Sequence, residues 1–124
     1  MRNIRTLGFI VAMLSGNACS RSQEELQFSS ECVAYLQISY RADPSADKKA
    51  IPAALKRAHD QARALSRSHT GGDEKMGEYA SNAVLQMSQR FGTDGKDSPE
   101  LVSFLRTKTA ACLKRYLPSS NAGS

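Results

Sequence analysis

Residues 73–92, DEKMGEYASNAVLQMSQRFG, decide the fold. Met76, Tyr79, Ala80, Ala83, Val84, Met87 and Phe91 recur at steps of three and four, the spacing that lines one face of an α-helix. Asp73 stands where a capping carboxylate accepts orphan backbone N–H groups. Glu74 adds negative charge at the positive end of the helix dipole, and Gly92 marks the stop.

Moving outward, Thr93 to Asp97 reads as a short polar loop, and the next helix has a clear start. Ser98 is a capping residue, Pro99 fits the first helical position and Glu100 follows in the first turn. Leu101, Phe104, Leu105, Cys112 and Tyr116 give this helix its apolar stripe, and Pro118 stops it. On the other side, Ser68 to Gly72 is a loop, preceded by a helix within Ala46 to Arg67. Its face is Ile51, Ala54, Leu55, Ala58, Ala62 and Leu65. Pro52 belongs in a first turn, so the true start is predicted near residue 50, after a separate turn. Asp43-Pro44 ends an earlier helix over Glu25 to Tyr40, whose stripe is Leu26, Val33, Leu36 and Tyr40. Four helices joined by short connections predict an all-α, small antiparallel bundle.

Cys32 lies on the first helix and Cys112 on the last, each beside the apolar stripe. In an up-and-down bundle those helices are neighbours, so a disulfide between them is geometrically reasonable. It would close an 80-residue separation and constrain the unfolded chain by about 4–5 kcal/mol. Two buried free thiols are the alternative, and an oxidising compartment favours the bridge.

The N-terminus points to that compartment. Met1 to Arg5 is a short basic region, Leu7 to Leu14 (LGFIVAML) a compact apolar run, and Ser15 to Ala18 a stretch of small and polar residues. The apolar run is too short to span a bilayer, and the arrangement is that of an export signal over 1–18. Residues 19–24 then form a polar lead-in, 25–118 the helical domain and 119–124 a tail. Cys19 is the odd cysteine once Cys32 and Cys112 pair, and unpaired thiols in exported proteins call for an explanation. The segment resembles a bacterial lipoprotein signal, in which the cysteine after the cut is lipidated. Gly16 stands where such signals usually carry Leu, so simple cleavage near Ala18 remains the rival.

Of the 124 residues, 17 are Lys or Arg and 12 Asp or Glu, a net charge of +5. Without Arg2 and Arg5 the balance is +3. So small a charge, spread over several segments, is a poor footprint for nucleic acid. Lys56, Arg57, Arg63 and Arg67 make the outer face of the second helix basic, which reads as a solvated surface. Docking of an acidic partner is the sharper alternative.

No motif carries catalytic chemistry. His59 reads as a boundary residue at the edge of its helix's stripe, and His69 sits in a Gly-containing loop with no evident nucleophile. There is no haem, nucleotide or zinc-protease signature. Met76 and Met87 lie on a helical stripe and read as core. No cofactor or metal is expected.

Two short stretches, Ser30-Glu-Cys-Val-Ala34 and Cys112-Leu-Lys-Arg-Tyr116, resemble elements of type VI secretion amidase immunity proteins. Those are small periplasmic helical proteins that block a peptidoglycan-cleaving toxin. The resemblance implies a binding protein and not an enzyme: a periplasmic inhibitor whose partner is a secreted amidase. Binding would then fall to exposed loops on a rigid scaffold. The candidates are His69 and Asp73 in the loop over 68–73, and Asp94 and Lys96 in the loop over 93–97. An envelope lipoprotein of structural or assembly role, anchored to the outer membrane through Cys19, is the alternative. A homodimer is one option for its assembly state.

Overall fold

The structure is a computed structural model. It describes the backbone over residues 2–92 and 98–118, with side chains from residue 21 onward. It holds four helices and, among the described residues, no strand: α1 (Arg2–Ala42), α2 (Ala50–Arg67), α3 (Gly72–Phe91) and α4 (Pro99–Tyr116). The chain forms an all-α bundle in which the helices run alternately up and down. Glu25 meets Arg115, Cys32 meets Cys112 and Asp43 meets Arg106, so α1 and α4 are antiparallel.

The boundaries have local causes. Nothing breaks the helix between Ser20 and Glu24, so α1 takes in that polar lead-in and extends past Tyr40 to Ala42. It stops at Asp43-Pro44. There the Asp43 carboxylate accepts the backbone N–H and the hydroxyl of Ser45, at 2.9 and 2.8 Å, and holds a turn. The turn expected before α2 is built on Asp47, whose carboxylate accepts the backbone N–H groups of Lys49 and Ala50. Those bonds hold the Asp47 carboxyl below its usual range. In α4, Ser98 Oγ accepts the Leu101 N–H at 3.1 Å with Pro99 behind it, as the sequence predicts.

The start of α3 differs from expectation. Its cap is Gly71, in the left-handed region at φ 69°, and Asp73 lies inside the first turn without capping. Asp73 Oδ1 instead accepts from Ser66 Oγ at 3.0 Å, across the corner between α2 and α3. The cause is Gly72, which is buried against the end of α2. A Cβ there would sit 2.0 Å from the Ser66 carbonyl oxygen. The tight corner draws Asp73 toward Ser66 and leaves the capping position to a residue without a side chain.

The helices do not pack as an equal ring. α1 serves two core clusters. On one side Cys32 and Leu36 pack with Ile51, Ala54 and Ala58 of α2 and with Cys112, Tyr116 and Leu117 at the end of α4. On the other, Ala34, Tyr35 and Ala42 pack with Ala83 and Met87 of α3 and Leu105 of α4. A helix covered on several sides needs small residues where its neighbours approach most closely. Ser29, Ser30 and Ser39 are accordingly buried along α1 together with its apolar residues. The alanine face of α2 brings that helix equally close, with Ala54, Ala58 and Ala62 fully buried.

Two residues expected in the core stand outside it. Tyr40 is 41% exposed because α1 is ending there, and its ring carries the Lys48 ammonium at 4.2 Å. Val84 is 43% exposed because only the Ala80–Ala83–Met87 side of α3 reaches α1. Arg57 does not belong to a purely solvated face either. Its Nη1 donates to the Tyr116 carbonyl at 2.6 Å, capping the open end of α4 from α2. The Tyr116 hydroxyl donates to Gln61 Oε1 at 2.6 Å and its ring stacks near Phe28.

Candidate functional site

The bridge expected between the first and last helices is present. Cys32 and Cys112 are bonded with a Cα separation of 5.8 Å, and each cysteine is 1% exposed. The bond sits inside the core layer that also holds Leu36, Ala54, Ala58 and Tyr116. The two stretches quoted for the family resemblance therefore meet in one layer. A sulfur pair this deep lies out of reach of a dissolved thiol until the bundle opens.

Of the loop residues singled out by sequence, His69 and Asp73 share the corner between α2 and α3, but each is turned toward its own chain. His69 Nε2 lies 2.8 Å from Ser22 Oγ on α1, and Asp73 is engaged with Ser66. Asp94, Lys96 and the side chain of Cys19 lie outside the described residues. Ser22 is a partner no local signal could have shown, since 47 residues separate it from His69. A serine hydroxyl against an imidazole is half of a nucleophile–base arrangement. The other half, a carboxylate orienting the ring, is not formed among the described residues. The contact fastens the α2–α3 corner to α1. His59 is half-buried on α2, as the boundary reading expects. Among the described residues, no three His, Cys, Asp or Glu side chains converge as metal ligands.

What the packing leaves open is more informative. Two apolar recesses open beside α1. One lies against α3, among Val33, Ile38, Ala80 and Val84; the other lies against α2, among Tyr40, Ile51 and Leu55. The exposed side chain of Gln37 borders both. Of the large exposed apolar residues of the described part, Tyr40 lines the recess against α2 and Val84 the recess against α3, while Leu85 lines neither.

A groove lies between the end of α3 and the start of α4. Phe104 is at its centre, 5.9 Å from Tyr35 in an edge-on contact and 5.3 Å from Phe91. The Arg90 guanidinium lies 5.3 Å from the Phe104 centroid and the Lys108 ammonium 5.5 Å from it. Arg90 also lies in the last turn of α3, where a cation complements the dipole. The neighbouring Arg106 is committed elsewhere, to Asp43.

Sequence reasoning assigned Phe104 and Phe91 to helix stripes, which they do occupy. The convergence of Arg90 and Lys108 over one ring was not legible, because it depends on how α3 and α4 meet. Among the described residues, no helix is long and apolar enough to cross a membrane. No protein-family model, curated protein or solved structure matches the chain.

Proposed function

We propose that the chain is an exported binding protein of the periplasm or cell envelope, in its specific form an immunity protein that blocks a secreted peptidoglycan amidase. The observation that carries the first part is the buried Cys32–Cys112 bridge, a bond at home in an oxidising compartment. The basic, apolar and small-residue succession over 1–18 supports the same address, with Cys19 as the first mature residue and lipid acceptor. The binding role is supported by the exposed apolar side chains of Tyr40 and Val84, each lining an apolar recess beside α1. The resemblance at Ser30 to Ala34 and Cys112 to Tyr116 supports the choice of an amidase as partner.

The test has two measurements. Intact mass of protein purified from the envelope, before and after reduction, should show one disulfide and a chain beginning at or near Cys19. Titration of a co-encoded amidase with this protein should abolish peptidoglycan cleavage at equimolar ratio, and Tyr40→Glu or Val84→Glu should weaken the inhibition. Recovery of the chain only from the cytoplasm, uncleaved and with Cys32 and Cys112 free, would remove the exported reading. Undiminished amidase activity at excess protein would remove the inhibitor.

A further inference from the structure

We infer that the groove between α3 and α4 is a recognition site for an acidic protein segment, one that places a carboxylate beside an apolar side chain. This rests on the reading of the chain as a binding protein, but it uses a surface separate from the recesses along α1. Two cations, Arg90 and Lys108, both stand within 5.5 Å of the Phe104 ring centroid. Neither is in an ion pair among the described residues, where the pairs are Lys56–Asp60, Arg106–Asp43 and Arg115–Glu25. A cation over a ring satisfies its electrostatics through the ring face and uses none of its N–H donors on an acceptor. The in-plane donors of a guanidinium held this way remain free for a carboxylate, which they fit in a bidentate manner. Two like charges this near one ring also raise the local positive potential, which a bound anion lowers.

The floor matches the second half of the ligand. Phe104 is held edge-on by the buried Tyr35 and tilted against Phe91, so the Phe91–Phe104 platform is set before anything binds and little ordering is lost on docking. The groove is short, and Glu100 on its wall opposes a run of negative charges. A nucleic acid strand needs many phosphate contacts along its length, which two cations beside a carboxylate do not provide. A peptide presenting one or two acidic residues next to Leu or Phe does fit.

The probe is a fluorescein-labelled peptide alternating Glu and Leu, with its Gln-for-Glu counterpart as control, followed by anisotropy on the full mature protein. Binding is expected for the Glu peptide alone, weakening with salt. The pair R90Q and K108Q, which keeps most of each side-chain stem, should raise Kd about tenfold. The pair R63Q and R67Q removes the same charge from exposed positions on α2 and should leave Kd within about twofold. Thermal melts establish that each variant is folded. Equal weakening by both pairs would reduce the effect to net charge and overturn the inference, as would absence of binding to the parent chain. Asp94 and Asp97 stand in sequence between the two walls. If only D94N/D97N protein bound the peptide, the cations would already be served by the chain itself, and the inference would fall. Amidase inhibition that survives R90Q/K108Q alongside failed peptide binding would sink this site while leaving the proposed function intact.

Discussion

Arg106 grips Asp43 with two nitrogens, Nε 3.0 Å from Oδ2 and Nη2 3.2 Å from Oδ1, across 63 residues of sequence. The same Nη2 donates to Ser45 Oγ at 2.8 Å. Asp43 is a buried carboxylate at the end of α1, and its partner comes from the middle of α4. One ion pair therefore fixes both the turn that ends α1 and the side of α1 on which α4 lies.

The Arg106 guanidinium holds the Asp43 carboxyl well below the usual carboxylate range, with the Ser45 hydroxyl and N–H adding to the effect. A depressed native pKa gives stability that is fully present above the unfolded value, about 3.9, and is lost as pH falls below it. The Arg106 side chain is 58% exposed, so solvent screens part of the effect. Asp43→Asn should cost about 1–2 kcal/mol at neutral pH. It should also flatten the acid limb of the melting temperature below about pH 4. Parallel acid limbs in parent and variant would show that the pair does not act in this way.

Removing the bridge should be the most damaging change in the molecule. The double variant C32A/C112A is expected to lose about 4–5 kcal/mol of unfolding free energy, measured by urea denaturation. Because both sulfurs are buried, reductant added to the native parent should leave them unreactive toward a thiol-alkylating reagent until denaturant is present. Prompt labelling in native conditions would contradict the depth of the bond.

The α2–α3 corner makes an ordering prediction. Gly72→Ala forces a methyl onto the Ser66 carbonyl and should cost about 3 kcal/mol or more, since backbone must move. Gly71→Ala meets open space and bears only the left-handed penalty, about 1–2 kcal/mol. Chemical denaturation of the two variants should rank them in that order, and the reverse order would mean that the corner is looser than described.

Thr109 Oγ1 is buried with no hydrogen-bond partner among the described residues. Replacing the hydroxyl by a methyl removes an unpaid desolvation. Thr109→Val should therefore stabilise the bundle by about 1 kcal/mol in a thermal or urea melt. Destabilisation of that size would show that the hydroxyl is satisfied in solution.

Local signals carried most of the helical layout. Ser98-Pro99, Asp43-Pro44 and Pro52 act within a turn of where they stand, so α4, the end of α1 and the start of α2 fell where their residues put them. The cap of α3 was misplaced because Asp73 looks like a cap by type, while the burial of Gly72 against Ser66 is a tertiary fact. Tyr40 and Val84 share the spacing of the core stripes, yet spacing says nothing of where a neighbouring helix ends. The serines buried on α1 are the reverse case: polar by type, they lie inside because that helix has partners on several sides. For the same reason the Ser22–His69 contact and the Arg90–Phe104–Lys108 arrangement lay beyond reach, each joining residues from different helices.

The position of the bridge bears on how the chain matures. Its sulfurs belong to the first and the last of the four helices, so closing it requires α4 to have been made and docked on α1. A closed bridge is thus a record that all four helices have come together. Until then Cys32 sits on a helix whose other neighbours can assemble but cannot be sealed.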